Sequence, residues 1–330
     1  MTMESGSTEA SAPPVMRSTT AHLPSKSDLL ERIRDERSAV LLVNTRSRRG
    51  RELLDATEGL LAEEGYGVVE EFLVHESSLL AGTIERAVAL KPSLLIVGGG
   101  DGTVSRIVGH LAYCDTALGL LPVGTTNNFA RNLGMPFDLG DAVRVVTRGK
   151  VVDVDLGRVG DRFFANVASI GLGAEVHRRV SPHLKRVVGP GAYGLTGARA
   201  FLSHSPFEAV VHTSDARHHF HTHQLIVANG AFYGGRLIAR GVSAEDRVLT
   251  IFALGDRRKR RLLAGLASHA YGRRRRAEGG FFISTAEARI VTCPVRDVEI
   301  DGEIKARTPV AVSVAEQALR VMAPLAFVDR

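Results

Sequence analysis

Residues 94–111 read LLIVGGGDGTVSRIVGHL, so three glycines and an aspartate directly follow a short apolar run. Leu94 to Val97, bounded by turn residues, suits a strand covered on both faces. Gly98, Gly99 and Gly100 let the backbone turn tightly, with amides uncovered by side chains. From Thr103 onward, Val104, Ile107, Val108 and Leu111 recur at helical spacing. A strand, a glycine turn and a helix present amide N–H groups at a positive helix end, where phosphate is favoured. Asp101 is the odd residue, because a carboxylate repels phosphate unless a cation stands between them, and it hints at a magnesium nucleotide. The turn fits neither the G-x-G-x-x-G of dinucleotide folds nor the Lys and Ser or Thr of a P-loop.

The elements that must hold this turn alternate. SAVLLVN (38–44) reads as a strand, RELLDATEGLLAEEGY (51–66) as an amphipathic helix and GVVEEFLV (67–74) as a second strand. SLLAGTIERAVAL (78–90) reads as a helix, and ALGLLPVG (117–124) as the strand after the glycine turn. Such alternation predicts a parallel sheet with helices on both faces over residues 38–150, with ligands beyond the carboxyl ends of its strands. Past residue 150 the signals become short strands separated by turn residues, among them VVDVDLGRV, RFFANVASIG, FEAVVHT, HHFHTHQLIVAN, VLTIFAL, ARIVTC, VRDVEIDGE and PVAVSVA. They predict an all-β layer domain over 151–330, whose last segment could pack back on the first domain. PGAYGLTGARAFLSH (190–204) and residues 257–276 are the expected helical exceptions.

A chain of 330 residues can hold two cores of this kind. Its opening stretch, rich in Ser, Thr, Pro and Ala, has few core-forming residues, and a disordered tail is expected over residues 1–37. It lacks the apolar core of a signal peptide, and no apolar run reaches the ~20 residues of a membrane span. Cys114 and Cys293 are solitary, which suggests neither a metal cage nor a disulfide framework. A cytoplasmic protein is the expectation. Charge is concentrated: residues 256–276 carry nine Lys or Arg and one Asp, a local net of +8 that leaves −2 for the rest of a chain whose total is +6. One basic place, nearly without aromatics, argues for a local anionic contact and against a broad nucleic-acid surface.

GGGDGT (98–103) followed by GLLPVGTTNNFARNLGMP (119–136) resembles the catalytic domain of the bacterial diacylglycerol and sphingosine kinase family. The likeness continues in order through VDLGRVGDRFFANVASIGLGAEV (154–176), GGRLIARGVSAEDRVLTIF (234–252) and VEIDGEIKARTPVAVSVAEQALRVMAP (298–324). The resemblance implies an α/β nucleotide-binding domain, like those of phosphofructokinases and NAD kinases, followed by a β-sandwich with the active site between them. It implies transfer of the γ-phosphoryl of ATP, with magnesium, to a lipid hydroxyl.

Carried onto this sequence, the resemblance gives Gly98, Gly99, Gly100, Gly102 and Thr103 to the phosphates, and Gly124, Thr125 and Asn127 to a second nucleotide loop. Asn44 and Ser47 stand where the family's first-strand phosphate loop begins, although NTRSRRG departs from the commoner N-P-x-S-G. Asp101, a catalytic candidate, resembles the magnesium-linked aspartate; Asn128 stands where many members are acidic, and Asp155 resembles another member of that metal network. Asp246, eleven residues after Gly235, matches the candidate base for the acceptor hydroxyl, with Arg247 in place of the usual glycine. In the Asp301-Gly302-Glu303 turn, Glu303 is the acidic residue expected near the phosphates or metal.

The basic stretch 257–276 could place a helix, with Leu262, Leu263, Leu266 and Ala270 on one side, against an anionic membrane surface. This is useful to an enzyme that visits the inner face of the membrane for its acceptor. His219, His221 and His223 share one face of a strand pattern, which a solvent-facing edge explains as well as a metal does. Exposed sandwich strands could also pair two chains into a homodimer. Two other readings stay open: an NAD kinase or other soluble-acceptor kinase with the same glycine loop, and a non-catalytic nucleotide- or lipid-binding relative.

Overall fold

The computed structural model describes residues 25–44, 49–76, 78–179, 204–230, 232–233, 236–237, 247–254 and 281–328. It begins with helix α1 (Lys26–Glu36), which corrects the expected tail at those residues, while residues 1–24 lie outside the described residues. The helix is started by a reciprocal cap in which the Ser25 hydroxyl accepts from the Asp28 N–H and the Asp28 carboxylate from the Ser25 N–H. Leu29 and Ile33, one turn apart, are fully buried. Arg32 adds bonds to the Ser93 hydroxyl at 2.9 Å and to the Asp115 carboxylate at 2.6 Å. Two buried side chains plus these polar anchors dock a helix whose composition is otherwise polar.

Strands β1 (Ser38–Asn44), β2 (Gly67–Val74), β3 (Leu94–Gly99) and β4 (Ala117–Pro122) pair in parallel in the order β2-β1-β3-β4. Helices α2 (Arg49–Glu63), α3 (Leu80–Ala89) and α4 (Asp101–Leu111) make the crossovers. β3 and β4 are buried at every residue, which is why they read as unbroken apolar runs. The short α5 (Asn128–Asn132) and α6 (Leu139–Arg148) follow β4, and β5 (Lys150–Val159) leads away from this layer.

The remaining elements are β6 (Arg162–Phe164), β7 (Val167–Gly171), α7 (Leu172–Arg179), β8 (Phe207–His212), β9 (Arg217–Thr222), β10 (Gln224–Ala228), β11 (Phe232–Tyr233), β12 (Arg236–Leu237), β13 (Leu249–Leu254), β14 (Phe282–Thr285), β15 (Glu287–Cys293), β16 (Asp297–Ile300), β17 (Glu303–Arg307) and β18 (Val310–Ala323). A six-stranded sheet, β14-β13-β10-β7-β16-β17, faces β15, β8 and the first half of β18 across a core that includes Phe164, Ile170, Phe207, Leu225, Ile251, Ile290 and Val312. The alternating burial of β8 and β15 is that of strands with one face inward.

β18 joins the layers. Its first half pairs antiparallel with β15, its second half lies parallel beside β4, and β5 runs antiparallel along it. Among the described residues, the first sheet therefore runs as β2-β1-β3-β4-β18-β15-β8-β9, ten strands with β5 and β6. The sequence reading ended this last strand at Ala315. The chain passes a register shift between Ala315 and Leu319, where Gln317 is left-handed at φ 48°, and continues as strand to Ala323. Among the described residues no helix is long and apolar enough to cross a membrane. The segments 190–203 and 257–276, expected to be helical, lie outside the described residues.

Candidate active site

β3 and β4 end side by side at the carboxyl edge of the parallel strands, and each runs into a glycine. The two turns touch: a Cβ at Gly124 would stand 2.4 Å from the Gly100 Cα, and one at Gly100 would stand 3.0 Å from the Gly124 Cα. Gly98 and Gly99 are not part of the turn. They are the last rungs of β3, opposite Leu121 and Pro122, and their missing side chains make room for Val43 and for Thr103. The turn proper is Gly100, Asp101 and Gly102, with Gly100 as the extended N-cap of α4. The first amides of a helix have no acceptor within it; the Thr103 N–H turns back to the Gly100 carbonyl at 2.9 Å, which leaves those of Asp101 and Gly102 for a bound anion. Thr103 stands in this first turn, and its hydroxyl accepts from Asn44 Nδ2 at 2.7 Å. Asn44 ends β1, so three strand ends converge here. Because Asn44 is the donor of that bond, the Thr103 hydroxyl keeps its own proton to give.

Asn127 builds the second loop from within. At φ 47° it folds back so that Nδ2 donates to the carbonyls of Pro122 and Gly124, at 3.0 and 2.8 Å, while Oδ1 accepts from the Gly124 N–H at 3.0 Å. It is a scaffold for the loop, and it occupies the amide of Gly124, which with Thr125 and Asn127 was expected in the second nucleotide loop. Thr125 is exposed at the tip. Asp101 ties this loop to the first turn: Oδ2 accepts from the Thr126 hydroxyl at 2.6 Å and from Asn128 Nδ2 at 3.2 Å, and Oδ1 from the Phe129 N–H at 3.2 Å. Thr126, which the sequence reading passed over, is thus a partner of Asp101.

The expected metal ligands Asp101, Asn128 and Asp155 do not assemble into one set. Magnesium asks for oxygens in a near-octahedral arrangement at about 2.0–2.1 Å. Asp101 is engaged by three hydrogen-bond donors, and Asn128 turns N–H toward it. Asp155 is elsewhere. Its carboxylate accepts from the backbone N–H of Arg247 at 3.0 Å and of Gln317 at 2.8 Å, two left-handed residues. The next carbonyl, that of Ala318, accepts from Tyr113 N–H just past the end of α4, whereas Asp101 opens that helix, about 16 Å away along its axis. Burial pushes the Asp155 carboxyl up, and the two N–H bonds pull the other way.

The β16–β17 hairpin brings acidic groups to α4. Its two-residue tip, Asp301-Gly302, has φ 44° and 91°, a left-handed pair of the kind that tight hairpins favour. The Asp301 carboxylate accepts from three successive backbone N–H groups, Ala165 at 2.7 Å, Asn166 at 3.1 Å and Val167 at 2.8 Å. Desolvation pushes its carboxyl up to about 6 against those bonds, with the negative charge of Asp101 adding to the rise. The Asp-Gly pair after an alternating strand was the available signal for this residue. Glu303, which the sequence reading preferred, pairs with Arg106 of α4 at 2.6 Å and with Lys305 at 3.2 Å. Burial pushes its carboxyl up, but the two cations outweigh this and leave it below the usual range.

Ser47, Asp246 and the basic residues 257–276 lie outside the described residues. Arg247 directs its guanidinium to Glu316 at 3.6 Å. Of the three histidines expected on one face, His219 pairs with Glu208 and lies 6.3 Å from the His221 ring. His223 falls past the end of β9, fully buried beside His204.

Residues 38–159 match the diacylglycerol kinase catalytic domain, and residues 166–323 match the YegS C-terminal NAD kinase beta sandwich-like domain. A Pseudomonas fluorescens protein named probable lipid kinase YegS-like is 33% identical over 225 residues, 66% of this chain and 73% of that protein. A protein of the same name from Chromohalobacter salexigens is 38% identical over 145 residues, 43% of this chain and 47% of that one. A Staphylococcus carnosus diacylglycerol kinase is 41% identical over 119 residues, 35% of this chain and 39% of that protein, so these last two are each matched over less than half their length. The crystal structure of a Bacillus anthracis diacylglycerol kinase superposes with a TM-score of 0.67 at 22% identity, over 88% of this chain and 98% of that one. The likeness is one of fold: a parallel α/β layer continued by a β-sandwich. The chain belongs to the YegS-like and diacylglycerol kinase family of lipid kinases.

Proposed function

We propose that this protein transfers the γ-phosphoryl group of ATP to a lipid hydroxyl, with diacylglycerol or a sphingoid base as the class of acceptor. The observation that carries the reading is the contact between the Gly100 and Gly124 turns at the ends of adjacent parallel strands. Phosphoryl transfer asks chiefly for positioning and charge stabilisation. The amides at the start of α4 and the Thr103 hydroxyl, oriented by Asn44, suit phosphate oxygens. Asp101 and Asn127 hold the second loop against them, with Thr125 at its tip. The acceptor alcohol needs a base to become a competent nucleophile, and the resemblance gives that role to Asp246.

The basic stretch 257–276 would bring the enzyme to an anionic membrane surface at about 1 kcal/mol per engaged cation. A third of the net +8 of residues 256–276 would contribute roughly 2–3 kcal/mol, enough for reversible visits. Retention on phosphatidylglycerol vesicles but not on phosphatidylcholine vesicles, lost when Arg273 to Arg276 become Gln, is the expected result.

The central test is transfer of labelled γ-phosphate from ATP, in magnesium buffer, to a total lipid extract, with NAD offered separately. Wild type should label the lipid phase, and Asp101→Asn should not. Label on NAD alone would make the protein a soluble-acceptor kinase, and ATP binding without transfer to either would make it a non-catalytic relative.

A further inference from the structure

Asp101 and residue 128 face each other across the two turns, and the chemistry of that meeting is fixed. A carboxylate accepts and does not donate, so the atom that Asn128 places 3.2 Å from Asp101 Oδ2 is its amide nitrogen. The Thr126 hydroxyl shares the same oxygen, and the Phe129 N–H takes the other. These three donors do for Asp101 what a cation would do: they neutralise part of its charge and hold the second loop to it. An ion bound directly here would have to displace donors from the carboxylate, and it would meet N–H where it needs oxygen. Asp155 offers no help, because its two oxygens serve Arg247 and Gln317 toward the other end of α4. Among the described residues, no group of three or more His, Cys, Asp or Glu is placed to hold a metal ion.

We infer that this chain locks its two turns together with hydrogen bonds from Thr126, Asn128 and Phe129 in place of a resident metal ion. The nucleotide-free protein then has no magnesium site, and a divalent cation enters only with a polyphosphate that brings its own oxygens. Asn128 is the residue that sets this. A carboxylate at the same position would put a second negative charge within about 3–4 Å of Asp101, and a divalent cation would relieve the repulsion. The second half of the inference rests on the turns being a nucleotide phosphate site; the first half does not.

The test uses the full chain without nucleotide, titrated with Mn²⁺ as a paramagnetic stand-in, with the free ion read by electron paramagnetic resonance. Wild type should leave Mn²⁺ free, whereas Asn128→Asp should bind one equivalent at least about tenfold more tightly. Thr126→Val removes a donor from Asp101 without adding charge and should bind Mn²⁺ no better than wild type. Adding a non-hydrolysable ATP analogue to wild type should bring Mn²⁺ onto the complex. Micromolar Mn²⁺ binding by nucleotide-free wild type would overturn the inference, and this needs no variant to fold. An Asn128→Asp protein that keeps its circular dichroism yet gains no affinity would overturn the role of Asn128. Binding of the analogue is read separately by calorimetry: its failure would count against the kinase reading, while the nucleotide-free titration still decides the inference.

Discussion

Replacing Gly124 with alanine puts one carbon where the two turns meet. The new Cβ would lie 2.4 Å from the Gly100 Cα and 2.6 Å from Asn127 Oδ1. Unstrained carbon contacts lie at about 3.5–4.0 Å. Neither neighbour can give way cheaply: Gly100 is fixed between β3 and α4, and Asn127 is held by the carbonyls of Pro122 and Gly124. The turns must therefore part by roughly 1 Å. A displacement of that size among positioning groups costs on the order of 100-fold in rate, or about 2.7 kcal/mol of transition-state stabilisation. Overpacking of a single site costs stability by about 1–3 kcal/mol, so the protein should still fold. Gly102→Ala is the control, since its Cβ meets nothing within 4 Å and it removes a glycine from the first turn of α4, a gain of up to about 1 kcal/mol. Gly100→Ala, with its nearest atom at 3.0 Å, should rank between them in damage to kcat/KM. The assay is initial-rate phosphorylation of lipid in mixed micelles, with urea midpoints measured on the same preparations. A folded Gly124→Ala enzyme with wild-type kcat/KM would refute the claim that contact between the turns positions the phosphates.

Further outcomes follow from the same geometry. Asp301 is pushed up to about 6 when folded, against about 3.9 unfolded, so the folded state holds its proton more tightly. Its contribution to stability is complete below pH ~4 and is lost as pH rises through 6, by about 3 kcal/mol. Asp301→Asn should flatten the fall of the urea midpoint across that window, and parallel curves for the two proteins would contradict it. Arg106→Glu should cost about 1 kcal/mol or less, because the Arg106–Glu303 pair is about a third exposed. Glu303→Arg in the same chain should recover part of that loss, and additive losses in thermal melts would show that the pair does not couple the hairpin to α4. Asp155→Ala removes the acceptor of two part-buried N–H groups, those of Arg247 and Gln317, and should destabilise by about 1–3 kcal/mol. Mn²⁺ affinity in the presence of the ATP analogue should stay at the wild-type value, and its loss would return Asp155 to the metal network.

Much of the α/β layer was legible because its physics is local. A strand buried on both faces must be apolar throughout, and a turn that two backbones share must be glycine, so β3, β4 and the turns at Gly100 and Gly124 announce themselves. Helix α1 did not, because only Leu29 and Ile33 mark its buried side, and they follow a stretch with few core-forming residue types. The second half of β18 was hidden by Glu316 and Gln317, which break the apolar alternation at the register shift. The site was half legible for a related reason. Motif order placed Asp101, Thr103 and Asn127 near one another, since each lies within a few residues of a glycine turn. Position in a motif says nothing of where a side chain points, so Asp155 stood with Asp101 in a metal network although its carboxylate accepts from Arg247 and Gln317, and Glu303 was preferred to Asp301, which accepts three backbone N–H bonds. Gly98 and Gly99 looked like a turn because sequence cannot distinguish a glycine that bends from one that makes room for Thr103.

The position of β18 governs when the protein can become a protein. Ala117 opens β4, and the strand that covers its flank begins about 190 residues later, at Val310. At roughly 5–20 residues per second, a ribosome leaves that flank open for about ten to forty seconds. An uncovered strand edge in a fully apolar run is a template for the wrong neighbour. The nascent chain therefore carries an open apolar strand edge at β4 until β18 is made. A break anywhere before Ala323 would not yield a free-standing nucleotide half, because the two halves share one sheet and are completed by the same stroke.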